Sequence, residues 1–92
     1  MINNFKHKGL KILFERGSIS GIQPKHKTRL RRILALLATS STAKDMDLFG
    51  LNLHELKGKK RGTWAVQVSG NWRVTFKIKN GDIHDVDYQD YH

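Results

Sequence analysis

The chain has 92 residues, with 17 Lys+Arg against 8 Asp+Glu, a formal net charge of +9 and no cysteine. That length predicts one small domain, 1–92, and the lack of cysteine excludes a disulfide framework, a thiol nucleophile and a cysteine zinc site. The charge makes a polyanion the leading partner, with nucleic acid first. The N-terminal stretch is basic and lacks the apolar run of a signal peptide. The densest apolar run, residues 33–38, falls far short of the ~20 that span a bilayer. No membrane partner is expected, and the expected location is the cytoplasm.

In chain order, Leu10, Leu13 and Phe14 fall at i, i+3 and i+4, an apolar stripe on a short first helix. Gly17, Ser18, Ser20 and Gly21 break the pattern. Pro24 suits a helix start, because its missing N–H is not needed in the first turn. Leu30, Ile33, Leu34 and Leu37 repeat at i, i+3, i+4 and i+7 and predict a second amphipathic helix. Lys25, Lys27, Arg29, Arg31 and Arg32 cover the rest of its first half, as a solvated face or as an RNA-docking patch. Thr39 to Thr42 end the helix. Thr42 and Asp45 have the spacing to cap a short turn running through Phe49 to Gly50.

Leu51, Leu53 and Leu56 suggest a further strand or an extended entry before the sheet. Trp64, Val66 and Val68 alternate with Ala65 and Gln67, and Trp72, Val74, Phe76 and Ile78 alternate with Arg73, Thr75, Lys77 and Lys79. Such period-2 runs predict strands. Gly70 and Asn80-Gly81 supply hairpin turns, and a third strand carries Val86 and Tyr88. Loops at 69–71 and 79–81 pair Trp64 with Phe76, Val66 with Val74, Val68 with Trp72, then Val74 with Val86 and Trp72 with Tyr88. Shorter loops would set Phe76 and Val74 against Asp85 and Asp87, so the longer ones are expected. The even positions form an apolar face for the helices to cover. The odd positions Gln67, Arg73, Thr75 and Lys77 form the polar face behind it. The expected fold is α+β, with two N-terminal helices packed on one face of a mainly antiparallel sheet.

Two clusters have the residue types for chemistry. The first, residues 54–62, is a glycine-flanked basic loop with His54, Lys57, Lys59, Lys60 and Arg61. It reads as a solvated turn or as a grip on phosphates. The second is Tyr88-Gln89-Asp90-Tyr91-His92. It reads as an edge strand with aromatic packing, or as a site in which the histidine moves protons near neutrality. His7, His26 and His84 are scattered without metal-ligand spacing, so no metal or other cofactor is expected. Asp82, Asp85 and Asp87 read as charge balance for Lys77 and Lys79.

Four segments taken together resemble the HigB branch of the RelE/ParE-type bacterial toxins. They are Phe5-Lys6-His7-Lys8-Gly9-Leu10, Leu53-His54-Glu55-Leu56-Lys57-Gly58, Asn71-Trp72-Arg73-Val74-Thr75-Phe76 and Asp90-Tyr91-His92. The resemblance spans essentially the full length, in order. It implies the microbial-ribonuclease-like RelE fold, with the site on the sheet face away from the helices. It implies a type II toxin that is a ribosome-dependent messenger-RNA endonuclease, acting at the 30S A site. It also implies a cognate helix-turn-helix antitoxin of HigA type, with operator DNA bound only through the antitoxin complex. Carried onto matching positions, the catalytic candidates are His54, Lys57, Arg73, Asp90, Tyr91 and His92. Lys59, Lys60, Arg61 and Lys77 are the further cations expected to hold RNA. Gln89 departs from the pattern, since an acidic residue often precedes the terminal triplet.

Metal-free RNA cleavage needs a base for the 2′-OH, an acid for the leaving 5′-oxygen and cations for the phosphorane-like transition state. His92, His54 and Asp90 are the proton-handling or orienting candidates, with acid and base unassigned. Lys57 and Arg73 are the cations, and Tyr91 positions a base or the leaving group. A regular strand would put odd Arg73 and Tyr91 on one face, and even Asp90 and His92 on the other. A shared site therefore predicts that the last residues bulge or leave the strand. Two alternatives remain: a non-catalytic basic nucleic-acid-binding module built on Lys57, Lys59, Lys60 and Arg61, and a ParE-like gyrase-inhibiting toxin.

Overall fold

The structure, a computed structural model, describes residues 1–91. Helix α1 spans Lys8–Arg16. His7 caps it, Nδ1 accepting the Leu10 amide at 3.1 Å, and left-handed Gly17 (φ 73) ends it by donating to the Leu13 carbonyl. Leu10 and Leu13 are buried, as expected of the stripe. Phe14 is 43% exposed, however, and leans on Phe5 with ring centroids 5.6 Å apart. Pro24 opens a 3-10 turn, Pro24–His26, that runs straight into α2, Lys27–Thr39. The inward side of α2 is Leu30, Ile33, Leu34 and Leu37, all buried. Asp45 Oδ2 accepts the Ser41 and Thr42 amides at 2.9 and 3.1 Å. The turn so capped covers only Ala43–Met46, and Phe49 beyond it stands fully exposed.

Four antiparallel strands follow, ordered β1-β2-β3-β4 across the sheet. They are β1 His54–Glu55, β2 Thr63–Ser69, β3 Trp72–Lys79 and β4 Asp82–Asp90. Val66, Val74, Phe76 and Tyr88 bury their side chains with the apolar stripes of both helices. The fold is α+β, with the helices on one sheet face and the polar odd positions on the other.

Both hairpins correct the expected register. Trp64 pairs with Phe76 and Val66 with Val74, but Ser69 pairs with Trp72, so the turn is Gly70-Asn71 and the strand bulges between Gln67 and Ser69. The second turn is Asn80-Gly81, with φ 53 and 81, joining Lys79 to Asp82. Two left-handed residues in succession match the twist of the flanking strands, and this outweighs the case for a longer loop. The apolar face survives because β4 also bulges. Asp85 (φ 54) and Val86 together span the place opposite Phe76, so Ile83 before the bulge and Val86 and Tyr88 after it are all buried. Tyr88 thereby opposes Val74 instead of Trp72, yet the Trp72 and Tyr88 rings lie only 4.5 Å apart.

The left-handed Asp85 is clasped from the chain's start. Asn4 Nδ2 donates to Asp85 Oδ1 at 2.7 Å, and the Asp85 amide donates to Asn4 Oδ1 at 3.1 Å. Around this clasp the N-terminal segment runs parallel to β4, with Ile2 beside Ile83 and Phe5 beside Val86. It covers an edge that would otherwise expose unpaired backbone groups. Two of the α2 cations are also engaged internally. Arg29 Nη2 donates to the carbonyls of Gly50 and Gln67 at 2.5 and 2.7 Å, and Arg31 Nη2 to that of Gly17 at 3.1 Å. At the start of α2, His26 is 2% exposed, its Nδ1 2.6 Å from the Tyr88 hydroxyl and its ring edge-on to Trp72. Burial, helped by the nearby charge of Lys25, lowers its pKa below the ordinary 6.5.

Candidate active site

Residues directly opposed in a ladder share a face, so the register lays out the polar face in rows. His54, Ala65, Thr75 and Asp87 form one row, and Gln67, Arg73 and Gln89 form the next. The loop joining β1 to β2 overhangs them. Its neck is closed by the Leu56 amide donating to the Thr63 carbonyl, and the Gly62 amide donating to Glu55 Oε2, both at 2.8 Å. Within it Gly58 (φ 69) and Gly62 (φ 93) reverse the chain without a Cβ clash, so Lys57, Lys59, Lys60 and Arg61 all project into solvent.

Between loop and sheet lies an open cleft of 510 Å³, lined by His54, Lys57, Lys60, Arg73 and Tyr91 among others. His54 Nδ1 is 2.9 Å from the Asn52 carbonyl. A carbonyl only accepts, so Nδ1 carries the proton and the neutral ring keeps a lone pair on Nε2. Arg73 lays its guanidinium on Tyr91, with Cζ 3.8 Å from the ring centroid. Its Nε is buried without a hydrogen-bond partner. Tyr91 is held on this face because its amide donates to the Asn71 carbonyl at 2.7 Å, extending the ladder past β4.

Among the described residues β4 has no further bulge between Asp87 and its end at Asp90. Asp90 stays in register opposite Trp72, on the helix-side face, where its charge helps raise the pKa of the buried Tyr88 hydroxyl, although burial is the larger cause. Asp90 is thus not gathered with Arg73, and a regular strand end is the reason. His92 lies outside the described residues. Four of the six catalytic candidates, His54, Lys57, Arg73 and Tyr91, share the cleft. Among the described residues no three His, Asp or Glu side chains converge as a metal-binding group.

The family model for the RelE-like toxin of the type II toxin–antitoxin system HigB matches residues 3–92. The chain belongs to this family of HigB-like toxins. It is also 41% identical to the Endoribonuclease HigB of Proteus vulgaris over 92 residues, the whole of both chains. A type II toxin implies an antitoxin partner. No helix among the described residues is long and apolar enough to cross a membrane.

In this HigB-like toxin a second, smaller cleft of 150 Å³ adjoins the first, and Leu56 and Lys60 line both. It gathers the other cations named from sequence, Lys59, Lys60, Arg61 and Lys77. Lys77 is the least available, because Asp85 Oδ2 lies 3.8 Å from its Nζ. Asp85 therefore balances Lys77 as expected, and Asp82 lies 3.8 Å from the N-terminal ammonium. Asp87 behaves differently. Its Oδ2 accepts from Gln89 Nε2 at 2.8 Å, and Gln89 pairs with Arg73 across the ladder. Neither belongs to a motif, although the odd parity that sets Tyr91 beside Arg73 sets both on this face. The alternation of Asp85, Asp87 and Gln89 was the available signal.

Proposed function

We propose that this chain, a type II toxin with endoribonuclease activity, cuts translated messenger RNA at the A site of the ribosome by attack of the ribose 2′-OH. The observation that carries the reading is the convergence of His54, Lys57, Arg73 and Tyr91 on one open cleft of the polar sheet face. The 2′-oxygen bonds to the adjacent phosphorus, and the bond to the 5′-oxygen breaks. The products are a 2′,3′-cyclic phosphate and a 5′-hydroxyl. His54 Nε2, the lone-pair end of its ring, is suited to take the 2′-OH proton.

Lys57 and Arg73 meet the charge that builds on the phosphoryl oxygens, and one such group is typically worth ~10²–10³-fold in rate. Tyr91, half exposed with Arg73 on one side of its ring, offers stacking area to a base. On chemistry alone His92 protonates the leaving 5′-oxygen. Asp90 begins from the other face and is given no proton to move. The route asks for no metal or other cofactor. One domain, 1–92, carries the chemistry in the cytoplasm. Its partners are the 30S A site with its message and a HigA-type helix-turn-helix antitoxin, through which alone it meets operator DNA.

The test is a translation extract given pure protein. Messages should be cut where ribosomes translate them and stay intact when initiation is blocked. Arg73→Ala and Lys57→Ala should each slow cutting about 100-fold or more. Intact messages with inhibited DNA supercoiling would replace this reading with the gyrase-directed one. RNA binding without any cutting would replace it with the passive binder.

A further inference from the structure

The second cleft contains a cation that no motif marks. Lys6 belongs to the N-terminal segment, far in sequence from the basic loop, and its side chain lines the same hollow as Lys59, Lys60 and Arg61. It arrives there through the backbone: its amide donates to the Val86 carbonyl at 2.8 Å, and Phe5 bridges to Val86 just before it. Cations therefore reach the cleft from three parts of the chain: Lys6 from the N-terminal segment, Lys77 from β3, and Lys59, Lys60 and Arg61 from the loop. The floor between them is the buried hydroxyl residue Thr75.

Two carboxylates also line it, but both have partners. Asp85 is bound by Asn4 and paired with Lys77, while Asp87 accepts from Gln89 and from the Tyr88 amide at 2.9 Å. Lys6 contributes to keeping Asp85 ionised, yet forms no ion pair with it among the described residues. A cleft with cations from three parts of the chain and no aromatic ring suits a phosphodiester better than a base, since bases need a stacking surface and backbone phosphates need charge. The first cleft differs in adding an exposed tyrosine and a histidine to its own cations, Lys57, Lys60 and Arg73.

Resting on the endoribonuclease reading, we propose that the RNA strand passes from the cleavage cleft over Leu56 and Lys60 into this second cleft, where Lys6 holds a phosphate of a flanking nucleotide. The N-terminal segment is then part of the substrate track as well as the cover of the β4 edge.

Oligoribonucleotides made uncleavable by 2′-deoxy substitution, lengthened one residue at a time from either end, test this. Wild-type affinity should rise on lengthening at one end only. Lys6→Gln should erase that gain, about fivefold, and lower the log–log salt slope by about 0.7, the value for one phosphate of a single strand. Lys6→Arg should retain both, and an unchanged melting temperature shows that Lys6→Gln is folded. Equal gains and slopes in wild type and Lys6→Gln would overturn the proposal, as would a wild type that gains nothing from length. If the wild type cuts messages in the extract while Lys6 proves indifferent, this inference alone fails. If it cuts none, the reading beneath it fails.

Discussion

The Arg73 guanidinium carbon lies 3.8 Å above the centre of the Tyr91 ring. The two residues meet because β4 stays in register to its end, and the Tyr91 amide adds one more bond, to the Asn71 carbonyl. An arginine that stacks on an aromatic plane keeps its charge and fixes its direction, which a freely rotating cation does not.

Tyr91→Phe should therefore keep Arg73 in place, and Tyr91→Ala should not. A cation–π contact at an exposed site is worth about 0.5–1 kcal/mol, so loss of positioning alone should cost Tyr91→Ala roughly two- to fivefold in cleavage rate. Any further loss measures base stacking. Initial cutting rates on a translated message separate the three proteins. Equal rates for Phe and Ala at this position would show that the stack has no catalytic consequence.

Arg73→Lys should behave nearly as badly as Arg73→Ala. Lysine retains the charge but not the planar fork or the stack on Tyr91. The expected loss is about 10²-fold for both, read in the same cleavage assay. Full activity in Arg73→Lys would reduce the role of Arg73 to a point charge.

Stability should fall on mild acidification because of His26. Its ring is buried and its pKa is lowered, by burial first and Lys25 second. The unfolded chain takes up a proton near the ordinary 6.5, while the folded ring still resists it. Folding stability contributed by the neutral ring is thus whole above pH 6.5 and declines as pH falls below it, through the folded pKa. Urea midpoints at pH 7.5 and pH 5 should show this decline in the wild type, and a flatter one in His26→Gln. Identical declines would place the acid sensitivity elsewhere.

Asp85→Ala should lower stability by about 1–2 kcal/mol. It puts an alanine at φ 54 and removes the acceptor for the Asn4 amide. Asn4→Ala should lose a similar amount, and the double variant less than the sum, because both act on one clasp. Denaturant melts of the four proteins give the coupling. Strict additivity would argue that Asn4 and Asp85 are independent.

Gly9→Ala should destabilise more than its helical position suggests. A Cβ at Gly9 would run into the Gly21 backbone carbonyl, and one at Gly21 would meet the Gly9 Cα at 2.7 Å. Backbone cannot rotate away as a side chain does, so a cost of about 1–3 kcal/mol is expected in place of alanine's usual gain inside a helix. Thermal melting decides it. An unchanged or raised midpoint would mean that the chain after α1 shifts freely.

Much of this was legible in one dimension. Leu30, Ile33, Leu34 and Leu37 could bury only as a helix stripe, and the alternation from Trp72 to Lys79 could satisfy a buried face only as a strand. The same alternation placed Arg73 and Tyr91 on the face away from the helices, and the family motifs brought in His54 and Lys57. Phe14 belongs to the stripe yet stays half exposed, because a helix stripe does not say where the covering sheet ends. A site shared with Arg73 requires Asp90 to leave the strand, whereas the ladder keeps it opposite Trp72.

The sequence by itself determined the two apolar helix stripes, the period-2 strands, the polar sheet face and the types of residue that line it. These are local matters of spacing and of which side chains tolerate water. The β2–β3 pairs Trp64–Phe76 and Val66–Val74 followed from the sequence, but the register of β4 was decided only by the tertiary structure. Each bulge shifts side-chain parity by one, and the one at Asp85 is clasped by Asn4 from the other end of the chain. After the two-residue turn, that bulge restores the parity by which odd residues of β4 face the cleft. It also brings Asp87 and Gln89 beside Arg73, and the clasp carries Lys6 onto the polar face. No pattern within a single strand encodes such a contact, because its free energy exists only once the distant segment has docked.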